Sequence, residues 1–210
     1  MNDMAGFISK GGILVIPILF CSVVALAIFV ERLIYFARMR SHGQGLAQRI
    51  VNLLRQGQDT KASQKVIESN SPMGRILSAA MEVKDQDREI LETVMVNATE
   101  KEVRDLSSYI QTLATIGNIA PLLGLFGTVI GMIKAFMVIQ EMGGKVNAAV
   151  LAGGIWEAML TTAFGLAVAL PTMVAHSYLV ARVDQYEARL QGGTVEFMKN
   201  IFVPGNTLNN

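Results

Sequence analysis

Charge, cysteine and histidine are all scarce in this chain, and each shortage excludes something. Of 210 residues only 17% are Asp, Glu, Lys or Arg, where a water-soluble domain usually carries about 25%. One cysteine, Cys21, excludes a disulfide framework; it sits inside an apolar run and reads as a small packing residue. With two histidines and that one cysteine there is no metal-ligand cluster, and no nucleophile–base pair or phosphate-binding glycine loop is present either. An enzyme is therefore not expected, and neither is a cofactor. Net charge is +1, and the near balance argues against a nucleic-acid surface, which needs a basic excess.

What is abundant is apolar sequence, 51% of the chain with mean hydropathy +0.41. The missing charge is missing in blocks: positions 11–30, 106–133 and 158–181 hold no Asp, Glu, Lys or Arg. A helix rising 1.5 Å per residue needs roughly 20 apolar residues to cross the hydrocarbon, so each block predicts a membrane-spanning helix. The first block is longer than the ~7–15-residue apolar core of a cleaved signal. Charged and aromatic residues, Glu31-Arg32-Leu33-Ile34-Tyr35-Phe36, follow it, so a retained anchor is expected.

Lys and Arg placement sets the expected orientation. Lys10 precedes the first span, whereas Arg32, Arg38 and Arg40 follow it. The connection 38–109 holds eleven Lys or Arg and ten Asp or Glu, and Arg182, Arg189 and Lys199 follow the third span. Only Lys134 and Lys145 lie between the second and third. This places the N-terminus outside, and the long connection and the C-terminus inside.

The expected division is an outer segment 1–10, a first span 11–37, a helical domain 38–109, a second span 110–137, a short outer connection 138–153, a third span 154–181 and a helix and tail 182–210. Within the connection, Leu46 to Leu54 is a short apolar-patterned stretch ending near Gly57. Ser71-Pro72 reads as a cap and first helical residue. No proline separates Met73 from Pro121 and no glycine separates Gly74 from Gly117. With Ile90, Val94, Val103, Leu106, Ile110 and Leu113 at three-and-four spacing, this predicts one long helix running into the second span.

Span two carries small residues at Gly117, Gly124, Gly127, Thr128 and Gly131. Between helices in lipid, close approach through small residues replaces hydrophobic association, so Gly124, Gly127, Gly131 and, on span three, Gly165 are expected packing sites. Span three opens on Trp156-Glu157. A carboxylate near membrane depth costs about 2.5–3.5 kcal/mol on insertion scales and so faces protein or water; a functional placement is expected, with an interfacial position reaching water as the alternative. Thr161 and Thr162 follow within a turn, able to line a wet path or bond back to their own helix. Pro121 and Pro171 are expected kink sites, and His176 reads as interfacial.

Two segments resemble a known family. Ala120-Pro121-Leu122-Leu123-Gly124-Leu125-Phe126-Gly127-Thr128-Val129, with Gly131-Met132-Ile133-Lys134-Ala135-Phe136, is similar to the second-span signature of the ExbB/TolQ/MotA proton-channel family, nearest its ExbB and TolQ branches. The stretch from Gly154-Ile155-Trp156-Glu157 through Thr161-Thr162-Ala163-Phe164-Gly165 to Pro171 resembles its third-span signature. His176-Ser177 departs from the Tyr-Asn that many members carry. The resemblance covers nearly the whole chain except the first dozen residues and the tail after 200. It implies an all-α membrane protein of three transmembrane helices, spans two and three extended into the cytoplasm by long helices, in a pentamer in the bacterial inner membrane. Five copies would surround two copies of a single-span ExbD- or TolR-like partner that supplies a proton-carrying Asp. Thr128 and Thr162 would line the interior opposite that Asp, with Glu157 and Thr161 in the same polar zone. The proton motive force would then drive a TonB-like or TolA-like protein for outer-membrane transport or envelope maintenance. A non-conducting scaffold and a flagellar-type stator subunit are the alternative readings, the latter with a fourth span that this chain lacks.

Overall fold

The computed structural model describes residues 13–39, 45–143 and 148–202. The segment 1–10 with Lys10, and also Arg40, Lys145 and the tail beyond 202, lie outside the described residues. All regular structure among the described residues is helical: α1 (Val15–Met39), α2 (Leu46–Arg55), α3 (Asp59–Glu68), α4 (Pro72–Glu82), α5 (Arg88–Ser107), α6 (Ile110–Glu141) and α7 (Ala148–Phe202). Three stretches, Val15–Met39, Arg88–Glu141 and Leu151–Phe202, are long and apolar enough to cross a membrane, as the three uncharged blocks predicted. The chain divides into two compact units, one made of 1–32 with 109–179 and the other of 33–108 with 180–210.

In the first unit, α6 and α7 are antiparallel, because successive contacts pair Gly131 with Ala158, Gly124 with Gly165, and Gly117 with Met173. Both run on through their prolines, Pro121 and Pro171. Ile110, Leu113 and Ile116 are buried at the start of α6, but from Gly117 onward its buried positions are small, Gly117, Ala120, Gly124, Gly127, Gly131 and Ala135, and they face Ala158, Thr161 and Ala169 of α7. Large apolar side chains point the other way, with Leu122 62% and Val174 71% exposed. This inside-out distribution suits a helix pair whose solvent is hydrocarbon.

The second unit is built the ordinary way, with large residues inside. Ile50, Ile76, Leu77, Leu91, Met95 and Phe197 are fully buried. The Ser71 hydroxyl accepts from the Gly74 N–H at 3.1 Å, with Pro72 in the first turn of α4, so the cap read from sequence is present. The stretch from Leu46 is α2; α3 carried too few apolar residues to be read in advance. Arg75 meets Glu102 through two bonds of 2.7 and 2.5 Å. The Glu102 carboxylate is buried while Arg75 stays half exposed. Donating to the Glu102 carboxylate holds the Arg75 guanidinium above its ordinary value, against the opposing effect of burial. Lys84 is bonded to Asp59, and that bond likewise raises the ammonium.

The single long helix expected from Met73 onward is instead three. It breaks first between Glu82 and Arg88, where Lys84-Asp85-Gln86-Asp87 offers no apolar face to bury. It breaks again at Tyr109, which adopts φ 62°. Just before it, the Ser107 and Ser108 hydroxyls donate to the Val103 and Asp105 carbonyls at 2.8 and 2.7 Å, offering the backbone an alternative to the helical ladder. A non-glycine residue in this left-handed region costs about 1–2 kcal/mol. The Arg32 guanidinium, 5.2 Å from the Tyr109 ring centroid, offsets about 1 kcal/mol of it. The buried stripe of α5 is Leu91, Met95, Thr99, Glu102 and Leu106, one position round from the expected line: Ile90 is exposed, whereas Leu106, Ile110 and Leu113 are buried as read.

Candidate functional site

Thr161, Thr162 and Glu157 of the first unit lie where α6 and α7 pack closely against each other. Gly124 and Gly165 permit the approach: a Cβ at Gly165 would lie 2.6 Å from the Ala120 carbonyl oxygen, and one at Gly124 would lie 3.0 Å from the Thr161 carbonyl oxygen and the Thr162 Cα. At Gly127 an added Cβ would come within 2.7 Å of the Thr161 Cβ, and at Gly131 within 2.8 Å of the Ala158 Cβ. All four expected packing glycines thus lie on this seam. Neighbouring steps that the glycine pattern alone did not single out, Ala120, Ala135 against Gly154, and Ala158, continue it. The signal for them is that 117, 120, 124, 127, 131 and 135 recur every three or four residues as glycine or alanine.

Both adjacent threonines of α7 turn toward the α6 backbone. The Thr162 hydroxyl donates to the Gly124 carbonyl at 3.0 Å. The buried Thr161 hydroxyl lies 2.7 Å from the Ala158 carbonyl and 3.4 Å from that of Gly124. The Gly124 carbonyl is therefore the meeting point of two hydroxyls, made reachable because the residue bearing it has no side chain. Each hydroxyl keeps its lone pairs and can still accept a hydrogen bond from a donor facing it. Thr128 sits one turn along α6, partly exposed, and its hydroxyl donates to the Leu125 carbonyl at 2.6 Å.

Glu157 is partly exposed and lies a turn before Thr161. It and Thr161 line a small pocket together with Leu14, Gly127, Gly131 and Lys134, with about 10 Å³ of room, about the space of one water. The structure thus brings Thr161, Thr162, Gly124 and Gly127 into one cluster, sets Glu157 beside it, and leaves Thr128, partly exposed and bonded to its own helix, outside that cluster. Lys134 was not among the residues expected at a site. Its only sequence signal is a lone cation seven residues before the end of α6.

A model of the MotA/TolQ/ExbB proton channel family matches residues 68–192, which includes α6 and the larger part of α7. Among similar proteins, the putative biopolymer transport protein ExbB homolog of Methanothermobacter thermautotrophicus is 33% identical over 131 residues, covering 62% of this chain and 46% of that protein. The putative biopolymer transport protein ExbB-like 3 of Synechocystis sp. is 28% identical over 166 residues, 78% of this chain and 79% of that one. The Tol-Pal system protein TolQ of Haemophilus influenzae is 38% identical over 91 residues, 43% and 39% of the two chains. A family match over more than half the chain, on three helices able to span a membrane, makes this a multi-pass membrane protein, a channel and transport subunit rather than an enzyme, that belongs to the MotA/TolQ/ExbB proton channel family.

Proposed function

We propose that the protein is the multi-span subunit of an inner-membrane energy transducer that couples the proton motive force to a TonB-like or TolA-like protein. The observation that carries this reading is the polar cluster on the α6–α7 seam: two threonine hydroxyls at the Gly124 carbonyl, with Glu157 beside them, on a seam otherwise lined mainly by glycine and alanine. In this reading the N-terminus is periplasmic and the C-terminus cytoplasmic, with 38–109 and 182–210 on the cytoplasmic side and 138–153 on the outer side. Five copies surround two single-span partners of the ExbD or TolR kind, whose Asp carries the proton. Thr128 and Thr162 face that Asp across the interior, while Thr161 and Glu157 extend the polar zone and Pro121 and Pro171 set the bends of their helices. The gradient supplies about 2.3 kcal/mol per proton per 100 mV, so useful pulling requires several protons coupled to one motion.

A second reading has its own support. Both threonine hydroxyls are bonded to backbone carbonyls, as expected of polar glue in a non-conducting scaffold. Cells that depend on the complex separate the two. Uptake driven by the proton gradient, or envelope integrity, is compared for wild type, Thr162→Val and Glu157→Gln while capture of the single-span partner is followed. The transducer reading expects partner capture to persist and function to be lost. Function surviving in both variants would assign these residues to packing and favour the scaffold.

A further inference from the structure

We propose that Lys134 is a positioning residue for Glu157, holding its carboxylate across a single bridging water at the end of the α6–α7 seam. This rests on the transducer reading for its consequence, though not for its geometry. The two side chains come from facing helices and line the same pocket, whose room, about 10 Å³, matches one water. Gly127 and Gly131 form part of its wall, and their lack of side chains lets Thr161 and Ala158 of α7 come close beside it. Among the described residues neither Lys134 nor Glu157 makes a direct hydrogen bond or ion pair. They are also the charged members of the pocket lining, the remainder being apolar side chains, the two glycines and Thr161.

Position makes the pairing matter. Lys134 lies three residues before 137, the end of the expected second span, and Glu157 three residues after 154, the start of the expected third, each about 5 Å inside. Charges within a span pair with one another. A water that accepts from the Lys134 ammonium and donates to the Glu157 carboxylate satisfies both without bringing the two helices closer. It also fixes the carboxylate on the side of Thr161. Lys134 then acts only through Glu157 and carries no proton itself.

The test uses the full chain with its single-span partner in lipid nanodiscs and liposomes. Lys134→Gln and Glu157→Gln should each lower the melting temperature by about 2–4 °C. The double variant should fall no further than either single, because the shared interaction is lost once. Lys134→Arg, which keeps the charge, should melt as wild type. Partner-dependent proton flux should drop about tenfold in Lys134→Gln, hold in Lys134→Arg, and recover at least in part when Lys134→Glu is combined with Glu157→Lys. Additive melting losses, or a Lys134→Gln variant that melts as wild type, overturn the pairing. A wild-type complex with no flux overturns the transducer reading instead, and the melting cycle still decides whether the two residues are coupled.

Discussion

The two units of this chain solve the same packing problem with opposite residues. In the unit of 33–108 and 180–210, large side chains are turned inward, so Ile76, Leu77, Leu91 and Met95 are fully buried and the buried Glu102 carboxylate is paired with the half-exposed Arg75. In the unit of 1–32 and 109–179, the smallest residues are inside along the seam of α6 and α7 from Gly117 to Ala135, and Leu122, Leu170 and Val174 are outside. Hydrocarbon gives no reward for burying a leucine, so close backbone approach and hydroxyl-to-carbonyl bonds hold the helices together. The difference teaches that burial in the membrane unit marks where helices touch, not where apolar mass is greatest.

The comparison can be broken at four points. Gly165→Val should do most damage, because even its Cβ would lie 2.6 Å from the Ala120 carbonyl. Overpacking against backbone should destabilise by about 3 kcal/mol or more, read as loss of the detergent-stable protein. Gly153→Ala, with nothing within 4 Å of its added Cβ, should be neutral in the same assay. Next, Leu91→Ala in the water-facing unit should cost about 3 kcal/mol through the cavity it leaves, whereas Leu170→Ala, 63% exposed in the membrane unit, should cost almost nothing in bilayer thermal melts.

Third, Arg75→Ala should cost about 2 kcal/mol, because it strands the buried Glu102 carboxylate. Glu102→Gln should cost less, since the half-exposed Arg75 can turn to water. A reversed order in urea titrations would place the buried charge on the wrong partner. The smallest effect belongs to Lys84→Met, a few tenths of a kcal/mol for an exposed pair. Because the bond to Asp59 raises the Lys84 ammonium, its contribution is whole below the ordinary lysine value of 10.5 and is lost as the pH rises through the higher folded value. Melting of wild type and Lys84→Met should therefore converge above that pH.

Much of this arrangement was legible in residue order because long uncharged runs have a single cheap solution. The three spans, the Ser71–Pro72 helix start and the glycines of the seam all follow from local rules. The failures have a common cause. The breaks at 83–87 and Tyr109 contain no glycine or proline, and depend instead on a polar tetrad without a face to bury and on serine hydroxyls competing for carbonyls. The α5 stripe shifted by one because α4 selected Leu91 and Met95 over Ile90 and Val94, a tertiary choice that periodicity does not contain. At the site, Thr161 and Thr162 were readable as a pair, but their convergence on one carbonyl requires the antiparallel register of α6 and α7. Lys134 was hidden for the same reason: a lone lysine acquires meaning only from the carboxylate facing it.

The most direct measurement is proton flux into liposomes holding this subunit with the single-span partner proposed for it, comparing wild type, Thr162→Ser and Thr162→Val. Serine keeps the hydroxyl that meets the Gly124 carbonyl, and valine keeps the shape without it. The account predicts flux in wild type and Thr162→Ser and its loss in a Thr162→Val complex that still holds the partner. Equal flux in all three would contradict it.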